Sequence, residues 1–402
     1  MKIKILSLLL IAFIVTACTA PQLVVSPTAN PTATPTTPTA TQIPTALPSP
    51  TSAPLALAAF EKGPYLVPGA DSTSMNVLWQ NPDAANYWLV YGTDESYSLG
   101  KVTPVSISDD GVEEAKLTGL QAGTHYFYRV TDGKSEATGS FITSNPDAAN
   151  LNFWVYGDSR NGPQIQDAID ADILNGIASD PVAQSFLLFS GDIMSVASEE
   201  SLQSNQFDPE YSSTRQMMAE IPMINAMGNH DGTKLFTKYF PYKFAGNFYW
   251  SFDYGPVHVA VVDQYGDVSP TSPQWTWLKQ DLSSSTKSWK FILLHEPGWS
   301  AGTHENNTVV QDIIQPIAYH TGVSIIFAGH NHYYARAEVD GVYQITTGGG
   351  GAPLYNPIAS YPNIQVVAMD YHYLQVVITG NTLTVTAQAP EGKLLDTFSI
   401  TH

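Results

Sequence analysis

Residues 223–231 read Met-Ile-Asn-Ala-Met-Gly-Asn-His-Asp, a short apolar stretch that runs into a glycine and then into three polar residues. Four other apolar stretches, at 152–156, 185–189, 290–294 and 324–328, also run into polar groups. Their length and composition predict buried strands. Segments with helical spacing lie among them, at 164–178, 201–219, 272–282 and 308–319. This alternation predicts an α/β domain.

The polar groups at these strand ends predict a metal centre. Side chains at the carboxyl ends of strands gather at one edge of an open α/β sheet, so we expect them to converge. They are two aspartates, one asparagine and three histidines: Asp158, Asp192, Asn229, His295, His330 and His332. Oxygen and imidazole donors without sulfur suit Fe, Zn or Mn. A lone Gly-Asp is usually a turn, and a lone His-x-His is usually incidental, so the prediction depends on the ordered series.

Charge and cysteine content exclude several classes of protein. The 402 residues include 17 Lys and Arg against 36 Asp and Glu, a formal net charge of −19. So acidic a surface repels duplex nucleic acid, but bound cations can still attract a phosphate substrate. The single cysteine, Cys18, excludes an intrachain disulfide and a thiolate metal site.

The first 59 residues predict export and anchoring. Residues 1–18 combine two early lysines, an apolar run at 5–15 and the lipobox-like Val15-Thr16-Ala17-Cys18, typical of a bacterial lipoprotein signal peptide. The alternative is an ordinary cleaved signal with an incidental cysteine. Residues 19–59 are mostly Pro, Thr, Ala and Ser, which predicts a disordered, semi-stiff stalk. We therefore expect an extracytoplasmic protein, lipid-anchored through Cys18 to the bacterial membrane or cell surface.

Residues 60–146 predict an all-β domain. Short strands at 76–80, 87–92, 115–120 and 124–130 are separated by turn residues, with no helical stretch between them. Residues 117–130 resemble the end of a fibronectin type III domain. With Gly63-Pro64-Tyr65-Leu66, the segment is similar to the domain that precedes the catalytic domain in purple acid phosphatases. Residues 371–400 read as strands that complete a sheet of the catalytic domain, 147–402.

The series of strand-end groups resembles the signature of the calcineurin-like metallophosphoesterases, and its flanks resemble the purple acid phosphatases. Residues 329–336, 249–258, 274–278 and 295–297 follow the order of that branch. The resemblance covers about residues 60–402. It implies a metallophosphoesterase β-sandwich flanked by helices, in four αββα layers.

The resemblance also implies roles for the site residues. Asp158 and His332 would bind a first metal, and Asn229, His295 and His330 a second, with Asp192 bridging the two. A hydroxide between the ions would attack phosphorus in line. His230 resembles the general acid of the family, and Asp231 is expected to hold its imidazole. His304 is expected to touch the substrate phosphate; the alternative is an exposed loop histidine.

Two residues depart from the family pattern. The wider superfamily has a histidine at the position of Arg160, and purple acid phosphatases have a tyrosine at the position of Ser195. The first metal thus lacks one ligand on either pattern, and iron bound there would lack the phenolate that gives the family its colour. We expect Arg160 to point at the substrate phosphate. The alternative is that it turns outward to a surface carboxylate.

Three functional readings remain open at this point. The leading reading is an extracytoplasmic dinuclear phosphomonoesterase acting on small phosphate esters. A phosphodiesterase or nucleotide hydrolase would use the same site. A catalytically weak surface-binding lipoprotein would use the β domain for attachment, although such a binder has no need of His230 as a leaving-group acid.

Overall fold

The computed structural model describes residues 60–81, 86–242 and 245–402. These all belong to one compact unit, Pro50–His402. The predicted signal peptide, Cys18 and the predicted stalk lie outside the described residues. No helix in the described part of the chain is long and apolar enough to span a membrane.

The first part of the described chain is all β. Its strands are β1 (Lys62–Pro68), β2 (Met75–Gln80), β3 (Trp88–Gly92), β4 (Gly100–Val102), β5 (Val105–Ser106), β6 (Val112–Leu117), β7 (His125–Thr131) and β8 (Glu136–Ile142). Among the described residues they form two antiparallel four-stranded sheets, ordered β1-β2-β6-β5 and β4-β3-β7-β8. Trp79, Leu89 and Phe141 are buried in the core of this domain. The all-β prediction is confirmed, and the likeness to fibronectin type III in particular stays a prediction.

The second part contains two larger sheets. Its strands are β9 (Asn150–Tyr156), β10 (Leu187–Phe189), β11 (Met223–Asn225), β12 (Trp250–Tyr254), β13 (Val257–Val261), β14 (Trp289–Leu293), β15 (Ile325–Ala328), β16 (Tyr334–Val339), β17 (Val342–Thr347), β18 (Ile364–Ala368), β19 (Tyr373–Thr379), β20 (Thr382–Ala389) and β21 (Lys393–Thr401). Within the described ranges, one sheet is ordered β11-β10-β9-β19-β20-β21 and the other β12-β13-β14-β15-β17-β16-β18. The predicted C-terminal strands, β19 to β21, therefore extend the first of these sheets.

Helices connect the strands of both sheets. They are α1 (Pro163–Ser179), α2 (Glu199–Leu202), α3 (Ser212–Glu220), α4 (Thr233–Tyr239), α5 (Pro273–Ser284) and α6 (Gln315–Thr321). The predicted helix at 201–219 is wrong in its middle, where a π-helical turn ends and the chain is extended at Asp208. The next residue is Pro209, and a residue before proline is pushed out of the helical region.

The two large sheets pack face to face, and their strands show why. Strand side chains alternate between faces. In β9, the Phe153 ring lies 5.7 Å from that of Phe291 in β14, so both point between the sheets. The neighbouring Trp154 packs at Gly176 of α1, on the outer face. Ile292 likewise points away from the interface and joins Leu278 of α5 in a separate core. Helices thus cover both outer faces, and the expected four-layer αββα arrangement is confirmed.

Hydrogen bonds tie the β domain to the α/β domain. The guanidinium of Arg215 in α3 donates to the backbone carbonyls of Phe60 and Gly63, both at 3.0 Å. The Tyr128 hydroxyl donates to the Ala219 carbonyl at 2.8 Å. Helix α3, which these bonds hold, follows β10 in the chain and precedes β11.

Candidate metal centre

The predicted site residues converge where the two large sheets meet. β9, β10 and β11 are parallel in one sheet, and β14 and β15 are parallel in the other, so their carboxyl ends point to shared edges. Asp158, Asp192 and Asn229 follow the first three strands; His295, His330 and His332 follow the last two. Possible ligand atoms of Asp158, Asp192 and His295 lie within 4.8 Å of one another.

The backbone at these strand ends is strained. Asp158, Asp192 and His330 have φ values of 57°, 59° and 66°, in the left-handed region that residues other than glycine seldom adopt. Such conformations cost about 1–3 kcal/mol each and persist where the surroundings hold them. The strain at three candidate ligands is consistent with a functional site.

Two glycines allow the carboxylates to sit close to the chain. A Cβ at Gly228 would lie 2.2 Å from Oδ1 of Asp192, and a Cβ at Gly329 would lie 2.2 Å from Oδ2 of Asp158. Both distances are far below van der Waals contact. These glycines therefore position the carboxylates, which explains their place directly before the candidate ligands.

The donors of the predicted second metal site surround one point. Oδ1 of Asn229 lies 3.1 Å from Nε2 of His295 and 3.0 Å from Nδ1 of His330. Nε2 of His295 lies 3.4 Å from Oδ1 of Asp192. Donors bound at about 2.0–2.2 Å to one tetrahedral or octahedral ion lie about 2.8–3.6 Å apart. The four side chains therefore fit a single ion.

The hydrogen bonds of His295 support this fit. Its Nδ1 donates to the carbonyl of Ser190 at 2.7 Å, which leaves the Nε2 lone pair facing the oxygens of Asn229 and Asp192. These acceptors need a cation or a proton between them. Burial by itself lowers the pKa of His295, but the Asp192 and Asp158 carboxylates outweigh it and raise that pKa. Burial and the neighbouring His295 lower the pKa of His330 to about 4, so it is a neutral donor at neutral pH.

The predicted first metal site does not fit an ion. Nε of Arg160 donates to Oδ2 of Asp192 at 2.9 Å, and Nη2 lies 3.4 Å from Nε2 of His332. Nε2 of His332 is also 3.5 Å from Oδ1 of Asp158. The guanidinium, a permanent cation that cannot act as a ligand, thus contacts two of the atoms that the first metal would take.

Ser195 supplies no replacement ligand. Its hydroxyl hydrogen-bonds Oδ1 of Asn161, and its backbone N–H hydrogen-bonds Ser201. Its backbone carbonyl is 2.7 Å from Nδ1 of His230, the predicted general acid. A carbonyl accepts only, so Nδ1 carries a hydrogen and Nε2 is left for the exchangeable proton.

The expected contact between Asp231 and the His230 ring is wrong. The buried Asp231 carboxylate accepts backbone N–H groups instead, from Asp192 at 2.9 Å, Gly228 at 2.8 Å and Ile193 at 3.0 Å. Burial and the Asp192 carboxylate raise the pKa of Asp231 to about 7. Asp231 therefore positions the loop that carries Asp192, because its oxygens are used by the backbone.

His304 lies beside the second-site donors. Its ring centroid is 4.3 Å from that of His330, and its backbone N–H donates to the buried Asn331 side chain at 3.0 Å. Its predicted contact with substrate stays a prediction. Tyr355, which the sequence did not single out, stacks on His332 at 4.2 Å. In the sequence, Tyr355 stands out only because it follows the glycine run Gly348–Gly351, and that run is not part of the strand-end series.

A separate cleft lies away from these residues. It has a volume of about 600 Å³ and lies between the β domain and the α/β domain, with Pro68, Met75, Tyr254, His258 and Lys287 in its lining. It contains none of the predicted ligands. Cavity size therefore does not identify the site here, and donor chemistry does.

Two family models match the chain. Residues 62–143 match the purple acid phosphatase N-terminal domain, and residues 152–334 match the calcineurin-like phosphoesterase model. The second match contains every predicted metal ligand from Asp158 to His332.

The curated relatives include purple acid phosphatases of plants. Purple acid phosphatase 18 of Arabidopsis thaliana is 26% identical over 318 residues, which cover 70% of this chain and 69% of the relative. Purple acid phosphatase 23 of the same plant is 28% identical over 39% of this chain and 37% of the relative. A purple acid phosphatase of Glycine max is 23% identical over 63% and 59% of the two chains. The chain thus spans less than two thirds of the latter two relatives.

Solved structures share the fold. The purple acid phosphatase PPD1 from yellow lupin (Lupinus luteus) superposes with a TM-score of 0.67 at 17% identity, over 84% of this chain and 74% of that one. PhoD superposes with a TM-score of 0.64 at 14% identity, over 88% and 92%. At these identities the likeness concerns the fold alone.

Proposed function

The chain belongs to the calcineurin-like phosphoesterases, with the domain pair of purple acid phosphatases, and on this premise we propose that it hydrolyses phosphate monoesters outside the cytoplasm. Membership makes it a metal-dependent phosphoester hydrolase acting on a small phosphate ester. The choice of monoesters and the location are the proposal.

One observation carries the proposed activity: the candidate metal ligands and the candidate proton donor, His230, lie side by side. Nε2 of His295 and Nδ1 of His330 both lie within 3.1 Å of Oδ1 of Asn229. His230 follows Asn229 directly, and its backbone N–H donates to Oδ1 of Asp192 at 3.0 Å. A protein that only bound phosphate would not need this acid.

Each residue contributes a distinct part of the chemistry. Asp192, Asn229, His295 and His330 would hold the ion, and a bound ion supplies Lewis acidity and lowers the pKa of coordinated water. His230, held through Nδ1 by the Ser195 carbonyl, presents Nε2 to protonate the leaving alkoxide. The ring of His304 lies 4.3 Å from that of His330, which supports the expectation that His304 hydrogen-bonds the phosphate.

The location rests on the N-terminal sequence. The apolar run before Cys18 and the Pro/Thr-rich segment after it support export, a lipid anchor at Cys18 and a domain held away from the membrane. A phosphatase in that position would release phosphate from esters outside the cytoplasm.

A panel of esters tests the activity. The full-length protein in detergent, loaded in turn with Mn, Zn or Fe, is assayed on an alkyl phosphate, on nitrophenyl phosphate and on bis-nitrophenyl phosphate. We expect the two monoesters to be hydrolysed with a higher kcat/KM than the diester. We expect Asn229→Ala to abolish the hydrolysis of monoesters and diester alike. Faster turnover of the diester would replace the monoesterase by a phosphodiesterase. No turnover of any ester with any metal would contradict hydrolysis itself.

A further inference from the structure

We propose that the guanidinium of Arg160 takes the place of the first metal ion, so that the centre works with a single ion bound by Asp192, Asn229, His295 and His330. This inference rests on the proposed function and concerns the composition of the same site. It departs from the two ions that membership of the family implies.

The contacts of Arg160 are those that an ion would make. Its Nε lies 2.9 Å from Oδ2 of Asp192, and its Nη2 lies 3.4 Å from Nε2 of His332. His332 is locked for this role, because its Nδ1 donates to the Pro353 carbonyl at 2.8 Å and its ring stacks on Tyr355. Nε2 is therefore the ring nitrogen that faces the guanidinium.

Asp192 divides its two oxygens between the halves of the centre. Oδ1 lies 3.4 Å from Nε2 of His295, on the side of the second-site donors, and Oδ2 pairs with Arg160. The carboxylate that would bridge two ions thus bridges the donors of one ion and an organic cation. The second-site donors keep their full set, and the first site loses an oxygen.

Electrostatics exclude an ion and the guanidinium from the same place. The side chains of Asp158, Asp192 and His332 are at most 1% exposed, and that of Arg160 is 13% exposed. At this burial, solvent screens a repulsion between neighbouring cations only weakly. An ion in the first site would therefore lie against the Arg160 guanidinium, which has no lone pair with which to bind it.

The two departures in the sequence agree with this arrangement. Position 160 would carry a histidine ligand in the wider superfamily, and position 195 would carry a tyrosine ligand in purple acid phosphatases. The side chain of Arg160 instead supplies positive charge, and that of Ser195 turns to Asn161. One substitution removes a ligand and supplies a cation, and the other leaves the vacated position without a donor.

Counting metal tests the inference without reference to activity. The full-length protein is loaded with excess Mn, desalted and analysed for Mn per chain, and its electron paramagnetic resonance spectrum is recorded. The variants are Arg160→His and the double variant Arg160→His/Ser195→Tyr, which restore the donors of the two family patterns. Arg336→His is the matched control, because Arg336 pairs with Asp396 through Nε and Oδ2 at 2.7 Å with the same 13% exposure.

We expect one Mn per chain, with the six-line spectrum of an isolated ion, in the wild type and in Arg336→His. We expect two per chain, with an exchange-coupled spectrum, in at least the double variant. Iron-loaded double variant should also gain the visible phenolate-to-iron absorption that the wild type lacks. Two tightly held ions in the wild type would overturn the inference and leave the proposed function standing. One ion in every variant would also overturn it, because Arg160 would then not be what excludes the second ion. A wild type that binds no metal would contradict the proposed function as well.

Discussion

The carboxylate of Asp231 accepts the backbone N–H of Asp192 at 2.9 Å, and so fixes the loop after β10 to the loop after β11. The same carboxylate accepts the N–H groups of Gly228 and Ile193. Two neighbouring candidate ligands, Asp192 and Asn229, are therefore held in place by a residue that is not itself one of the candidate ligands. We therefore expect replacement of Asp231 to lower the stability of the protein and its affinity for metal.

Asp231→Asn should destabilise the protein by about 1–3 kcal/mol, because the amide nitrogen would face backbone donors and leave them unsatisfied. Urea unfolding of metal-free protein measures this. Asp132→Asn is the matched control: its carboxylate also accepts two backbone N–H groups, at 2.8 and 2.7 Å, but in an exposed turn. It should change stability by less than about 0.5 kcal/mol. Equal losses in both variants would remove the positioning role.

Alanine in place of Asn229, His295 or His330 should lower metal affinity and hydrolysis together. Each change removes a direct donor, so the loss should exceed the roughly 10–100-fold that follows loss of an outer partner. Equilibrium dialysis and ester hydrolysis, measured on the same samples, check this. His125→Ala, on β7 of the β domain, is the control and should change neither. Full metal content with lost activity would show that the residue is not a ligand.

His230→Ala should keep the metal and lose rate according to the leaving group. Proton donation is worth about 100- to 10,000-fold, and it matters most when the leaving group is a poor one. We expect a loss in that range on an alkyl phosphate and a much smaller loss on nitrophenyl phosphate. The exposed His320→Ala serves as control. The same loss on both esters would argue against His230 as the acid.

His258 should make stability depend on pH in the alkaline range. Although burial by itself lowers its pKa, hydrogen bonds at 2.7 Å to Asp253 and Asp281 raise that pKa from 6.5 to about 9. A raised histidine pKa gives stability that is complete below the unfolded value and lost as pH rises through the folded value. The wild type should lose on the order of 1–3 kcal/mol between pH 6.5 and about 9.

His258→Gln, which cannot be protonated, isolates this contribution. Urea unfolding of the wild type and the variant is compared at pH 6 and pH 10. The difference in the free energy of unfolding between the wild type and the variant should be large at pH 6 and small at pH 10. A difference that does not change with pH would mean that the pair is not charged in the folded protein.

Cys18→Ser should release or misprocess the protein in a bacterial host. The wild type should partition into detergent, because lipidation of the sulfur with two chains anchors a protein stably. Phase partitioning of cell extracts and the mass of the mature N-terminus measure this. A serine variant that is still processed and membrane-bound would favour the ordinary signal peptide.

Much of the site could be predicted because its signals are local. Each candidate ligand follows an apolar stretch by a few residues. The order of these stretches along the chain supplies the remaining evidence for a metal centre. The direction of a side chain is not local. Arg160 was expected to face the substrate, and its contact with Asp192 joins residues that are 32 positions apart. That the ion pair would form was not readable from either segment alone.

The helix predicted at 201–219 failed for a different reason. Its apolar spacing is helical on both sides of Asp208-Pro209, but the extended conformation that proline imposes on Asp208 breaks it. Asp231 was misassigned through its sequence neighbour His230. In the structure, backbone groups compete for its oxygens more effectively than the imidazole does.

The packing of the two large sheets gives the bound ion a second consequence. Asn229 extends from the sheet that contains β11, and His295 from the sheet that contains β14, while Phe153 and Phe291 join the sheets by packing alone. An ion bound by both residues therefore links the two sheets. Its binding energy becomes folding energy, about 2.7 kcal/mol at a free concentration 100 times Kd. Removing the metal would therefore weaken the packing of the two sheets along one edge, and it would also abolish catalysis.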